Sequence, residues 1–250
     1  MKLAINPSSP LPLYYQIREQ LRAQIRSGAL VTGDPLPGEM QICQAYGVSR
    51  MTARQALVQL ANEGLVVRKR GRGTFVAAPK AVLPGIQGLG MSYTEIMEQA
   101  GMSAGGRVLA QEIFPATGEV AANLKIKTGE PVVRIVRIRS ASGEIMSRET
   151  ACYPYSRFPD LAKADLANAS IYRFLQERYG VIPAYATDTL EIAVAGPYEA
   201  EQLHINEGGA IALVTTIACL EDDTPVAYTH TIHRGDRFRS VIRRSRQPIG

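Results

Sequence analysis

Arg50 and Arg54 stand about one helical turn apart, interleaved with Ser49, Met51 and Thr52. About one helix later, Arg68-Lys69-Arg70-Gly71-Arg72-Gly73 sets four cations around two glycines. A guanidinium presents forked donors that match guanine O6/N7 or phosphate oxygens, and a good bidentate base contact is worth about 1–3 kcal/mol of discrimination. Hydroxyls at a helix start, beside its unpaired backbone N–H groups, suit phosphate. Glycine lets a backbone approach a surface closely, and arginine suits the negative potential of a narrow minor groove. Either segment alone is most simply a solvated charged surface. Together they are the chemistry of a helix for the major groove and a wing for the minor groove.

A second polar group is Arg137-Ile138-Arg139 with Arg148-Glu149. In a strand, residues two apart share a face, so Arg137 and Arg139 point together, and hairpin pairing can bring Glu149 alongside. Arginines fixed on a sheet face make a site for a carboxylate or phosphate; the simpler alternative is an ion-paired sheet surface. No catalytic constellation, metal-ligand set or cofactor motif stands out. His230 and His233 are three apart, so in a strand they face opposite ways and do not share a metal. Cys43, Cys152 and Cys219 are odd in number and widely spaced, which argues against a disulfide framework and fits a reducing cytoplasm.

The elements that must hold these residues are readable. Leu13, Ile17, Leu21 and Ile25 recur every four residues and predict a first helix ending near Gly28. Thr32 to Gly38 is turn chemistry. A short helix is expected from about Gly38 to Ala45, then a turn at Tyr46-Gly47-Val48, then a third helix capped by Ser49. Ala53, Ala56, Leu57 and Leu60 turn that helix inward, which leaves Arg50, Met51, Thr52 and Arg54 projecting forward. Leu65-Val66-Val67 and Thr74-Phe75-Val76 predict a hairpin with the basic run at its tip.

Beyond a Pro- and Gly-containing linker at 79–90, strands and helices alternate. Helices are expected at 92–100, where Ser92 and Glu95 form a capping box, and at 117–124, 170–179 and 197–203. Strands are expected at 107–114, 132–140, 145–153, 184–195, 211–221 and 225–233. The pattern is α+β on a mainly antiparallel sheet, with domains at 1–78 and 91–245.

Charge divides the same way. Residues 1–80 hold 11 Lys and Arg against 4 Asp and Glu, whereas 81–250 hold 17 against 19, so the front suits a polyanion and the back does not. No run of about 18 apolar residues predicts a membrane span, and no signal peptide is expected at the N-terminus.

Residues 11–78 resemble the winged helix-turn-helix domain of the GntR family of bacterial transcription regulators. The resemblance runs through Pro12-Leu13-Tyr14, Leu36-Pro37 with Glu39, Gly47-Val48-Ser49-Arg50, Thr52-Ala53-Arg54-Gln55-Ala56-Leu57, Glu63-Gly64-Leu65 and Gly71-Arg72-Gly73-Thr74-Phe75-Val76. It implies that Ser49, Arg50, Thr52 and Arg54 touch the major groove and Arg70 and Gly71 the minor groove; Met51 and Arg72 are added to the expected DNA-binding residues. The family often has a DNA-contacting Arg where this chain has Met40.

Residues from about 90 to 240 resemble the UTRA effector-binding domain of the HutC subfamily, similar in fold to chorismate lyase, through Tyr93-Thr94-Glu95, Arg137-Ile138-Arg139, Glu149, Phe158-Pro159-Asp160-Leu161, Ser170-Ile171-Tyr172 and Arg234-Gly235-Asp236. The resemblance implies an effector site at Tyr93, Thr94, Arg137, Arg139, Glu149 and Ser170, to which Tyr228 and His233 are added. Members sensing amino-sugar phosphates have Glu at Ala227 and Tyr at His233; the retained arginines favour an anionic small molecule.

The expectation is therefore a cytoplasmic, homodimeric transcription regulator, a repressor rather than an activator, reading a pseudo-palindromic double-stranded operator. No cofactor, membrane or enzymatic activity is expected. The alternatives are a retained lyase-type activity, or a DNA-binding protein whose rear domain serves dimerisation alone.

Overall fold

The computed structural model describes residues 5–69, 71–77, 81–84 and 93–241, without the side chains of 81–84 and 241. It divides into two compact units, one drawn from residues 1–80 and 235–237, the other from 81–234 and 238 onward.

The first unit is three helices and a hairpin. α1 (Leu13–Arg26), α2 (Glu39–Tyr46) and α3 (Arg50–Asn62) precede β1 (Val66–Lys69) and β2 (Gly73–Val76). The four-residue period of α1 buries Ile17 and Leu21 completely against Ile42 of α2 and Ala53, Ala56, Leu57 and Leu60 of α3. Each large side chain so buried contributes about 1.5–3 kcal/mol. Gly47 ends α2 at φ +67°, a left-handed conformation glycine adopts without cost, and its N–H reaches the Cys43 carbonyl. That tight stop starts α3 three residues later. Arg22 Nη2 binds Glu63 Oε2 at 2.5 Å, tying α1 to the far end of α3. The hairpin is held to the helices from its outer side. Pro35 bridges Phe75, and the Leu36 N–H donates to the Thr74 carbonyl at 2.8 Å.

In the second unit β3 (Ala81–Pro84) pairs in parallel with β10 (Phe238–Val241). The rest is built on a six-stranded sheet, ordered β4 (Ala104–Pro115), β5 (Pro131–Ala141), β6 (Glu144–Pro154), β9 (Pro225–Arg234), β8 (Ala210–Cys219), β7 (Tyr185–Val194), with every neighbouring pair antiparallel. α4 (Tyr93–Gln99), a 3-10 turn at Pro159–Ala162 and α6 (Ile171–Tyr179) lie over one face. α5 (Gly118–Leu124) and α7 (Pro197–Leu203) cover the other. On the first face Val133, Ile135, Ala151, Tyr153 and Ala227 pack against Phe158, Leu161, Ile171 and Leu175. This face is apolar at one end and polar at the other, and the polar end is the site. The strand alternation that buries Ile135 also brings Arg137 and Arg139 to the same side. Gly106 of β4 pairs with Arg139, and a Cβ there would stand 2.4 Å from the Ile138 carbonyl, so only glycine permits this approach.

The expected elements are present, mostly within one to three residues of their expected ends. The expected Ser92 cap lies outside the described residues, and four residues of the segment read as linker, Ala81–Pro84, form a strand. β10 and the 3-10 turn are additions to the expected set.

Candidate DNA interface and effector pocket

Ser49 caps α3 as its sequence position requires. Its Oγ accepts from the Thr52 N–H at 3.2 Å and meets the Thr52 hydroxyl at 2.9 Å. The two hydroxyls are thus fixed beside the free N–H groups of the first turn, where a phosphate oxygen fits. Arg50, Met51 and Arg54 project from the same end; Met51 is 73% exposed and Met40 of α2 60%. In a small domain, large apolar side chains left this open on one face suit contact with base edges or sugars. Arg50 Nε donates to Glu39 Oε2 at 3.0 Å, whereas Arg54 and Arg72 make no ion pair among the described residues. The hairpin closes between Lys69 and Gly73, with Gly71 at φ +71° and the Arg72 N–H bonded to the Lys69 carbonyl. Gly71 and Arg72 are therefore at the tip; Arg70 lies outside the described residues.

In the second unit the two arginines have different fates. Arg137 gives Nε and Nη2 to Glu149 Oε1 at 3.0 and 2.6 Å, and Nη1 to the Leu166 and Ala169 carbonyls. Every nitrogen of its guanidinium has an acceptor and its charge is matched. Arg139 is only 2% exposed, yet its Nε and Nη1 have no acceptor. Its guanidinium lies 4.4 Å from the centre of the Tyr93 ring. Ser147 Oγ on the paired strand, and the Tyr93 hydroxyl and Thr94 Oγ1 at the start of α4, are likewise buried without hydrogen-bond partners among the described residues. Buried polar atoms are nearly always satisfied in folded proteins, so unsatisfied donors and hydroxyls beside a buried guanidinium mark this end of the face as a candidate site for a polar ligand.

Register explains the grouping. Arg139 pairs with Ser147, and Ser147 with His233 on the next strand; Arg137 pairs with Glu149, and Glu149 with Thr231. Ser147, which the sequence did not single out, is found only through this register. Burial lowers the Arg139 pKa to about 10, with Arg137 repelling it further, so the group stays charged at neutral pH. Burial works to raise the Glu149 pKa, but Arg137 and Arg139 outweigh it and hold the carboxyl ionised. Burial lowers His233 to about 4, against the opposing pull of Glu149, so it is a neutral imidazole at neutral pH. Ser170 caps α6, accepting from the Arg173 N–H at 3.1 Å, one residue from the Ala169 carbonyl that holds Arg137.

Tyr228 is a correction. It pairs with Cys152 and packs under α5, with its hydroxyl donating to Glu119 Oε1 at 2.6 Å. The pleat sends Ala227, Thr229, Thr231 and His233 to the arginine face and Tyr228 to the opposite one. His230 also lies on that opposite face, across from Thr150, as the spacing of the two histidines required. A separate depression is lined by Lys125 and Arg157, which donate to the Asp223 and Pro225 carbonyls.

Comparison with known proteins agrees with this division. The family model described as "Bacterial regulatory proteins, gntR family" matches residues 13–76, and that of the "UTRA domain" matches 99–239. The HTH-type transcriptional repressor NagR of Bacillus subtilis is 39% identical over 238 residues, 95% of this chain and 96% of that one. The HTH-type transcriptional repressor PhnF of Mycolicibacterium smegmatis is 34% identical over 207 residues, 82% of each. The crystal structure of PhnF from Mycobacterium smegmatis superposes with a TM-score of 0.63 at 31% identity, covering 92% of this chain and all of that one.

Proposed function

Since the chain belongs to the gntR family of bacterial transcription regulators and carries a UTRA effector domain, and is not an enzyme, we propose how it performs that regulation: as a homodimeric repressor released by an anionic metabolite bound at Arg139. One observation carries the second half. Among the described residues Arg139 is a buried charge with no ion pair of its own, Glu149 being bound to Arg137, and its Nε and Nη1 have no acceptor. An uncompensated buried charge costs several kcal/mol, and an anion of the right shape recovers that cost on binding. Tyr93, the first residue of α4, lies over the Arg139 guanidinium, so that helix would border an occupant.

The dimer reading rests on symmetry and on the sheet. Two copies of α3 and the wing read two half-sites of a pseudo-palindrome. β7 is an edge of the six-stranded sheet and leaves Ile192 74% and Val194 70% exposed, a surface suited to a second copy. The amino-sugar phosphate reading is weakened, because Ala227 and His233 stand where such relatives carry Glu and Tyr. A ligand acts as inducer only if it binds the DNA-free arrangement more tightly.

The test is an anisotropy titration of the full chain on DNA upstream of its own gene, with and without a panel of anionic metabolites. Specific, salt-sensitive binding relieved by one compound is expected. A compound that stabilises the protein equally well after Arg139→Met removes the pocket from this reading.

A further inference from the structure

The major-groove helix and the wing share one acid. Glu39 opens α2; its Oε2 accepts from Arg50 Nε at 3.0 Å, and its Oε1 lies 3.8 Å from Arg68 Nη2. Its side chain is 23% exposed, whereas that of Arg50 is 75% exposed. Exposed ion pairs add little to stability, so folding alone does not account for a carboxylate tied to cations of two different elements. Nor does affinity: a fixed negative charge on the surface that meets phosphates opposes binding to any DNA. What the arrangement supplies is order. A long exposed arginine otherwise spreads over many rotamers, and every one of them that reaches a phosphate binds without reading sequence.

We propose that Glu39 is a positioning residue for operator recognition: it holds Arg50, and restrains Arg68, in the poses that read the operator, at the expense of affinity for unrelated DNA. The helix-start role of an acid at this place, favourable to the α2 dipole, is shared by any acidic residue and appears as stability alone. Holding two cations needs the length of glutamate as well as its charge. The side chain of aspartate, one methylene shorter, lacks that reach.

The experiment uses the full chain and duplexes that it selects from a random library, each compared with a scrambled duplex over a salt series. Glu39→Gln is expected to tighten binding to scrambled DNA and to steepen the slope of log affinity against log salt by up to about 1. The ratio of selected to scrambled affinity is expected to fall about tenfold. Glu39→Asp keeps the charge, the slope and the helix start, yet is expected to lose the same ratio; it carries the comparison if Glu39→Gln does not fold. An unchanged ratio in both variants overturns the proposal. Arg50→Gln separates the two layers of the argument. If it leaves the ratio intact, α3 does not read DNA through Arg50, and the proposal fails at that step. If it lowers the ratio and Glu39→Gln lowers it no further, Glu39 acts through Arg50. A full additional loss in the double variant that persists when Arg68 is also replaced by Gln means that it acts through neither cation, and refutes the proposal.

Discussion

Arg137 and Arg139 are two residues apart on one face of one strand, and removing each should do opposite things. Arg137 matches Glu149, so Arg137→Met leaves a carboxylate buried without its partner and should cost about 3–5 kcal/mol of stability. Arg139 has no ion pair of its own among the described residues, only the Tyr93 ring and the more distant pull of Glu149, so Arg139→Met should leave the ligand-free melting temperature unchanged or raised, while abolishing the stabilisation by the proposed effector. Paired thermal melts of the two variants decide it, and a large loss in Arg139→Met would contradict an uncompensated charge. At Met40, 60% exposed beside Glu39, an arginine would supply the DNA contact that the family resemblance implies there. Met40→Arg should tighten operator binding about tenfold and alter site preference; gel shifts that match wild type in both respects count against this.

β9 shows what a strand adds to its residues. His233 is neutral because burial lowers its pKa to about 4 from its ordinary value near 6.5. The unfolded chain therefore takes up a proton first as the pH falls. The neutral ring contributes stability fully above about 6.5, and that contribution is lost between about 6.5 and 4. Glu149, whose pKa is held below the ordinary carboxylate value, loses its contribution only at lower pH. Melting temperatures between pH 7 and 5 should fall in the wild type and lie flatter in His233→Gln; parallel curves would place the titration elsewhere. The same strand marks the limit of reading by sequence. Alternation conveys its extent and the opposed faces of His230 and His233, because a run with one buried face carries a period of two. Tyr228 and His233 are five residues apart, so the same alternation already sets them on opposite faces, and one site cannot take both. Ser147 escapes such a reading because its meaning lies in register across β5, β6 and β9, a long-range pairing that no local pattern encodes. β3 and β10 are four residues each and pair across more than 150 positions, so neither has a periodic signature of its own. The helices and hairpin of the DNA-binding unit are legible almost throughout, since caps, turn glycines and apolar stripes are all local signals.

At the scale of the whole molecule, the charge asymmetry of the sequence becomes a division of labour. The cations of the first unit meet a polymer, so operator binding should weaken steeply with salt, and Arg54→Gln should lower the slope of log affinity against log salt by about 1. Effector binding to a single enclosed guanidinium should depend on salt far less. Sedimentation should give a dimer, and one operator half-site alone should bind much more weakly than two; a monomer that binds a half-site at full strength would end the symmetric reading. The arginine face has a last consequence. Glu149 cancels Arg137 before any metabolite arrives, so the pocket offers one net positive charge although two arginines line it. If the proposed effector binds there, the acid on the sheet sets the valence of the signal: one carboxylate tunes the site to a single negative charge, and a related regulator without it should answer to doubly charged metabolites with the same fold and the same two arginines.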